Sequence, residues 1–230
     1  YDLTVDGRFE RLKQAPSRLG VPPERIELVE SLYVGLLEKL NAHFATVPYL
    51  LGGKPCIGDF GMIAPLYAHL GRDIKPLSLM HEHGPWVLRW VERMNRPGND
   101  TGDYPGCGGD YLERDELPRT LIDVLRHLAV DFVPETLATA ATVNEWIAAN
   151  PDVPAGTVVE RTIGEATFVV ENRSMTAAAQ PFRLYLLKRL QDHVVACSES
   201  ERAEVVDMLG EAHMSDLLEA KLERDIGRAG

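Results

Sequence analysis

The chain has 230 residues, of which 45% are hydrophobic and 26% charged, and its formal net charge is -11 at pH 7. This composition is ordinary for a globular protein with a sizeable core, in one large domain or two small ones. The negative charge argues against broad binding to nucleic-acid phosphates, and no apolar run approaches the roughly 20 residues of a membrane span. We therefore expect a soluble, cytoplasmic protein that contacts neither nucleic acid nor membrane.

The cysteines and histidines do not form a metal-binding pattern. Three cysteines stand far apart in the sequence: Cys56, Cys107 and Cys197. An odd number without paired spacing fits neither a zinc knuckle nor a disulfide framework, which points to a reducing compartment. His81-Glu82-His83 is compact, but metal ligands on a helix recur at three- or four-residue steps. We therefore predict no metal site.

Helical periodicity is clearest between Glu24 and Phe44. Apolar residues recur there at three- and four-residue steps, while charged residues fall on the other faces. Gly35, in the middle of this predicted helix, costs about 1 kcal/mol relative to alanine. Either that cost is tolerated, or another helix crosses closely at this point.

Further helices are predicted along most of the remaining chain. A short helix and a loop occupy residues 8–23, and the turn "VPYLLGGKP" follows the main helix. Pro65 should kink the helix that contains it, whereas Pro85 suits the first turn of a helix. The other predicted helices cover residues 57–70, 85–94, 117–132, 134–149 and 180–196, with helix continuing to the C-terminus.

Three local patterns separate these helices. The Gly/Pro-rich stretch "RPGNDTGDYPGCGGD" predicts a loop or a domain boundary. β-branched residues on both sides of Ile163-Gly164-Glu165 predict a hairpin over residues 157–171. Ser198 and Glu201 have the spacing of a capping box, in which each side chain binds a free backbone N–H at a helix start.

The stretch "GGKPCIGDF" predicts a helix that begins at Ile57. Asp59 would then lie in the first turn, where a carboxylate accepts bonds from free N–H groups and complements the helix dipole. Cys56 takes the N-cap position, at which serine or threonine is usual and a thiol is the weaker acceptor. The cysteine is either a buried structural residue or a thiol activated by the helix terminus. We favour the structural interpretation.

The segment "PYLLGGKPCIGDFGMIAPLYAHLGRD", followed by "GPWVLRWVERMNRP", resembles the C-terminal helical domain of glutathione transferases. That domain has a "yLlG…pS-I/L-A-D" segment, a buried helix and a helix that carries a tryptophan. The matching positions are Tyr49, Leu50, Leu51, Gly52, Ile57 and Asp59. Cys56 replaces the usual serine or threonine, and Gly58 the common alanine. The match covers roughly Glu24 to Pro97, less than half of the chain.

The resemblance implies a mainly α protein with a transferase-like helical bundle. Residues 1–97 would form the helical core, residues 98–110 a Gly/Pro-rich loop, and residues 111–230 a helical extension with one small hairpin, packed on the core. The segment "AQPFRLYLLKRLQDHV" resembles the extended C-terminal portion of some bacterial transferase-like proteins. In the family, the Asp59 position has a structural role at the helix start.

The resemblance also implies where the catalytic groups lie. In the family, an N-terminal thioredoxin-like domain binds glutathione and supplies the activating residue, and only about twenty residues precede the main helix here. No catalytic residue or cofactor is therefore expected in this chain, which alone would be inactive. The helical domain supplies the co-substrate pocket, with Tyr33, Tyr67, His69 and Arg72 as candidates. The alternative is that both tyrosines pack in the core and that His69 and Arg72 interact with a helix dipole.

The parent protein is accordingly expected to add or exchange glutathione on a small electrophile, with glutathione bound by the missing domain. The alternative is a non-catalytic protein-protein interaction module of the same fold. A metal-dependent hydrolase has only the His81-Glu82-His83 cluster in its favour. Members of the family usually dimerise, and a homodimer is compatible with the sequence.

Overall fold

The protein is mainly helical, as predicted. The computed structural model describes residues 16–17, 20–113 and 117–227. Over these residues the chain forms seven α-helices and one two-stranded antiparallel sheet. None of the described helices combines the length and the apolar character that crossing a membrane requires. The short helix predicted at the start of the chain lies mostly outside the described residues.

The elements are numbered in chain order. A 3-10 helix at Pro23–Arg25 is followed by α1 (Ile26–Phe44), α2 (Ile57–Ala68), α3 (Ile74–His83), α4 (Pro85–Met94) and α5 (Arg119–Ala149). Strands β1 (Glu165–Val170) and β2 (Arg173–Ala178) precede α6 (Pro181–Ala196), α7 (Glu199–Glu211) and a 3-10 helix at Ser215–Leu218. The chain divides into a central unit, Glu30–His127, and a terminal unit that combines Tyr1–Val29 with Leu128–Gly230.

The core of the central unit is formed by the inner faces of α1, α3 and α4. Its fully buried side chains include Leu37, Leu40, Phe44, Met80, Val87 and Trp90. The rings of Phe44 and Trp90 stack, with centroids 5.1 Å apart and planes inclined by 10°. Pro85 opens α4 as predicted. Helix α3 was not predicted, because Met80 is its only buried residue and leaves little apolar periodicity to detect.

Gly35 permits a close crossing of α1 and α5. A Cβ added at Gly35 would lie 2.5 Å from Cε1 of His127, closer than real Cβ contacts allow. The His127 Nε2 bonds to the carbonyl oxygen of Leu32 at 2.7 Å, which holds the ring against α1. Of the two interpretations of Gly35, the close crossing is therefore the correct one.

The Gly/Pro-rich loop packs against the rest of the central unit. The Gly53 N–H donates to the carbonyl oxygen of Asp110 at 2.8 Å, and the buried Tyr104 hydroxyl donates to the carbonyl oxygen of Phe44. A Cβ at Gly53 would lie 1.7 Å from the carbonyl oxygen of Gly108. Only glycine fits at this approach of two backbone segments.

The two helices predicted over residues 117–132 and 134–149 are a single helix, α5, which continues through Pro134. Proline has no N–H to donate to the carbonyl four residues earlier, which belongs to Val130. The helix nevertheless continues, and Val130 lies on an exposed part of it. The proline therefore did not end the helix as the sequence analysis expected.

The hairpin is present but begins later than predicted, over residues 165–178 rather than 157–171. Val170 pairs with Arg173, which leaves Glu171 and Asn172 as a two-residue turn. Both turn residues have positive φ, 47° and 64°, as a type I′ turn requires. Glutamate is a weak signal for such a turn, and the prediction centred on Gly164 instead.

The last described residues form an ordered, non-helical tail. The helix predicted to continue to the C-terminus ends at Glu211, apart from one 3-10 turn. The Arg224 guanidinium donates at 2.6 to 3.0 Å to four carbonyl oxygens at the end of α5, those of Ile147, Asn150, Pro151 and Val153. Ile147 belongs to the last turn of α5 and the other three residues follow the helix, so Arg224 holds the tail against the end of α5.

Replacing Gly35 by alanine should lower the free energy of unfolding, because the new Cβ displaces His127 from its bond to Leu32. The matched control is Gly61→Ala in α2, where an added Cβ meets no atom within 4 Å. For Gly61→Ala we expect only the gain in helix propensity, which raises the free energy of unfolding by about 1 kcal/mol. Urea denaturation should place Gly35→Ala about 1 to 3 kcal/mol below Gly61→Ala, the range of overpacking penalties. Equal stability of the two variants would contradict the close crossing.

Candidate functional site

One buried carboxylate joins three segments of the central unit. Asp59 lies in the first turn of α2 and is fully buried. Its Oδ2 accepts the Cys56 N–H at 2.9 Å. Its Oδ1 accepts the Leu50 N–H at 3.1 Å and the indole N–H of Trp90 at 2.9 Å. We call these four residues the Asp59 junction, which holds the turn before α2, the start of α2 and the middle of α4 together.

Cys56 occupies the N-cap of α2. Its sulfur faces the Asp59 backbone amide in the arrangement of a capping box, without a regular side-chain hydrogen bond. Burial raises the pKa of the Cys56 thiol, and the nearby Asp59 charge acts in the same direction. A reactive cysteine at a helix terminus has a lowered pKa instead. The environment of Cys56 therefore supports the structural interpretation.

His43 lies buried beside the junction. Its Nε2 donates to the carbonyl oxygen of Leu50 at 3.1 Å, so Nδ1, 2.9 Å from the hydroxyl of Thr120, accepts in the neutral ring. Burial lowers the pKa of His43, while the Leu50 carbonyl and the Asp59 charge oppose that shift. The neutral imidazole therefore fits this position, and protonation opposes folding.

Three of the four predicted pocket residues lie at the end of α2 or in the turn before α3, and Tyr33 lies on α1. The Tyr33 hydroxyl donates to the carbonyl oxygen of Pro76 at 3.2 Å, and burial raises its pKa to about 12. The Arg72 Nη2 donates to the Tyr67 hydroxyl at 2.5 Å, and its guanidinium carbon lies 4.6 Å from the Tyr67 ring centroid. His69 is exposed at the end of α2. The structure thus pairs Tyr67 with Arg72 and gives Tyr33 a separate backbone partner.

The remaining predicted residues make local contacts. His83 Nδ1 lies 3.6 Å from Oε1 of Glu38 on α1. Within the described part of the chain, no three His, Cys, Asp or Glu side chains are grouped to hold a metal ion. At the start of α7, the Ser198 hydroxyl accepts the Glu201 N–H at 3.4 Å, and the Glu201 carboxylate accepts the Ser198 N–H at 2.9 Å.

Arg93 is a buried cation that the sequence analysis missed. Its Nη1 donates to the carbonyl oxygen of Pro48 at 3.1 Å, and its Nη2 to the Tyr104 hydroxyl at 3.2 Å. The Asp103 carboxylate lies 3.7 Å away. Helical spacing could have revealed it, because Arg93 lies three residues after the buried Trp90 and so on the inner face of α4. The hydrogen bonds of Arg93 hold the Gly/Pro-rich loop on the core.

Four large apolar side chains, on α2 and at the first residue of α3, are exposed, and we call them the exposed stripe. Its members are Ile57, Phe60, Tyr67 and Ile74, and the exposed fractions of Ile57 and Ile74 are 91% and 89%. The apolar periodicity of α2 was expected to mark a buried helix. In the structure only Asp59 and Leu66 of α2 are buried, so much of the apolar pattern faces outward.

Comparisons of this chain with protein-family models, with curated proteins and with solved structures find no match. The interpretation of the site therefore depends on the geometry of the Asp59 junction and the surfaces near it.

Asp59→Asn should destabilise the protein by about 1.5 to 3 kcal/mol, because an amide nitrogen replaces one acceptor oxygen among buried donors. Asp73→Asn is the control, since Asp73 precedes α3 without a side-chain capping bond and should tolerate the change. Cys56→Ser should keep or raise stability, because a hydroxyl is the better cap. Thermal melting of the three variants measures these effects. Loss of stability in Cys56→Ser, or none in Asp59→Asn, would contradict this account of the junction.

His43 should make stability depend on pH. Because its pKa in the folded protein lies below the unfolded value of about 6.5, stability is complete above that pH and falls as acid protonates the unfolded chain. The His43 contribution to the slope is at most about 1.4 kcal/mol per pH unit. Urea denaturation between pH 7.5 and 5 should give a flatter profile for His43→Gln than for the wild type. An unchanged slope in His43→Gln would refute the assignment.

Proposed function

We propose that the central unit is the co-substrate-pocket domain of a bacterial glutathione transferase-like protein, with the glutathione-activating domain outside this chain. The observation that supports the proposal is the Asp59 junction. Asp59, Leu50 and Cys56 belong to the segment that resembles the family, and Trp90 belongs to the tryptophan-bearing helix. One carboxylate binds all three of its partners. Three hydrogen bonds therefore connect residues on which the resemblance is based.

In this proposal the parent protein conjugates glutathione to an electrophile or exchanges it. The domain outside the chain would lower the thiol pKa of glutathione, and the central unit would bind the apolar co-substrate. Tyr67 and Arg72 are suited to that binding, because the half-exposed ring carries a guanidinium over its face. Such a pair offers stacking and hydrogen bonding to an aromatic electrophile that bears a polar group. Tyr33 is less suited to direct contact, since its hydroxyl already donates to Pro76.

Calorimetric titration of the complete gene product with glutathione tests this function. We expect saturable binding at millimolar ligand or below, and conjugation of an aromatic electrophile. Tyr67→Ala should raise the KM for the electrophile several-fold without changing the KM for glutathione. Tyr111→Ala, which removes another exposed tyrosine of the central unit, is the control. Absence of glutathione binding at millimolar concentration would exclude the transferase.

The alternative function is a non-catalytic interaction module, which the exposed stripe favours. Ile57, Phe60 and Ile74 present apolar surface to water, and such surface commonly marks a contact with another protein. A second copy of the chain is the occupant that we propose for this alternative, because the apolar side chains of the stripe can pack against the same residues of a partner across a two-fold axis. Sedimentation of the chain and of Phe60→Ser tests it. Self-association that Phe60→Ser abolishes, together with no glutathione binding, would favour the module over the transferase.

A further inference from the structure

A groove in the terminal unit lies between α6 and the ordered tail. Its volume is about 580 Å³, within the range of small-molecule sites. One face of α6 forms a wall, and residues 220–227 form the other. The floor belongs to the core of the terminal unit, in which Leu184 and Ile226 pack with residues of α5. The groove is therefore an apolar cleft over a packed core.

Backbone bonds and polar side chains hold the tail in place beside α6. Gln191 donates to the carbonyl oxygens of Leu217 and Ala220, at 2.7 and 3.0 Å. The Gly227 N–H donates to the carbonyl oxygen of Thr157 at 2.7 Å. Arg224 adds its four bonds to the end of α5. Because both walls are fixed in this way, a ligand would not have to order the groove when it binds, which favours affinity.

The charged residues at the rim of the groove indicate which class of ligand it can bind. Lys188 donates to both carboxylate oxygens of Asp192 at 2.8 Å, so these two charges offset each other. Asp225 is the other acidic residue of the lining, against two further cations, Arg189 and Lys221. Among the described residues, the Arg189 guanidinium has neither an ion pair nor a hydrogen-bond partner. Lys221 lies 4.0 Å from the Glu219 carboxylate, so Arg189 is the rim cation that remains available to an anion.

The Tyr185 hydroxyl adds a donor to the same rim. Tyr185 lies one helical turn before Arg189 on α6, so the two side chains are neighbours on one face of the helix. Within the described part of the chain the hydroxyl has no hydrogen-bond partner, although its ring stacks with Phe182. A guanidinium with a neighbouring hydroxyl suits a carboxylate, which accepts from both.

We propose that this groove binds an elongated apolar carboxylate, with the hydrocarbon body on the Leu184 and Ile226 floor and the carboxylate at Arg189. The ligand class follows from the apolar floor, the fixed walls and the Arg189 cation at the rim. The site lies in the terminal unit and does not depend on the transferase proposal. A negative result for the groove would therefore not count against the transferase proposal, and a negative result for the transferase would not count against the groove.

Calorimetric titration of the full chain with decanoate tests the groove, with 1-decanol and decylamine as neutral and cationic analogues. We expect saturable binding of one decanoate per chain, with weaker binding of both analogues. Arg189→Gln should weaken decanoate binding about tenfold, since it removes a charge-assisted hydrogen bond. Arg173→Gln, on exposed β2, should bind decanoate like the wild type.

A second variant tests the apolar wall. Val195→Asp places a carboxylate on an exposed position of the groove lining, where it should repel decanoate and abolish binding. Val169→Asp is the control, because Val169 is similarly exposed on the hairpin, outside the groove. Thermal melting verifies that all variants fold. Absence of saturable decanoate binding, equal binding of decylamine, or affinity unchanged in both Arg189→Gln and Val195→Asp would overturn the proposal.

Discussion

The Asp59 carboxylate is the constraint on which the central unit depends. A fully buried carboxylate is strongly unfavourable unless hydrogen bonds replace its lost hydration. Here the donors come from the turn before α2, the N-cap of α2 and the indole of α4. No segment satisfies the carboxylate alone, so the three segments are stable together rather than singly. The stacking of Trp90 on Phe44 extends this dependence to α1, and Arg93 extends it to the Gly/Pro-rich loop.

The sequence predicts features whose cause is local and misses those whose cause is distant. Pro85 opens a helix because its fixed φ and missing N–H suit that position in any fold. Gly35 gave two interpretations because its neighbour, His127, is far away along the chain. Pro134 was misread, because whether a proline ends a helix depends on the surroundings of the carbonyl that it leaves free. The predicted position of the hairpin was wrong because its turn contains Glu171 at positive φ, which glutamate seldom adopts without support from paired strands.

The candidate site shows the same limit. Apolar periodicity in α2 predicts a helix, and we expected it to be buried, but periodicity does not say whether the apolar face meets a core or another molecule. Glycine at position 58 has a packing reason, because a Cβ there would lie 2.8 Å from Cδ1 of Leu50. Cys56 and Gly58 thus lie beside Asp59, the acceptor of the junction.

Arg224 and Arg189 show why residue type alone does not assign a role. Arg224 directs its guanidinium at carbonyl oxygens in and just after the last turn of α5, so its hydrogen-bonding capacity is used within the fold. Arg189, on α6, lies at the rim of a groove whose other wall Arg224 holds in place. The first arginine makes the groove rigid, and the second leaves donors available in it. A rigid apolar cleft with an available cation binds an anion without the entropic cost of ordering its walls, and that combination distinguishes this groove from an ordinary surface depression.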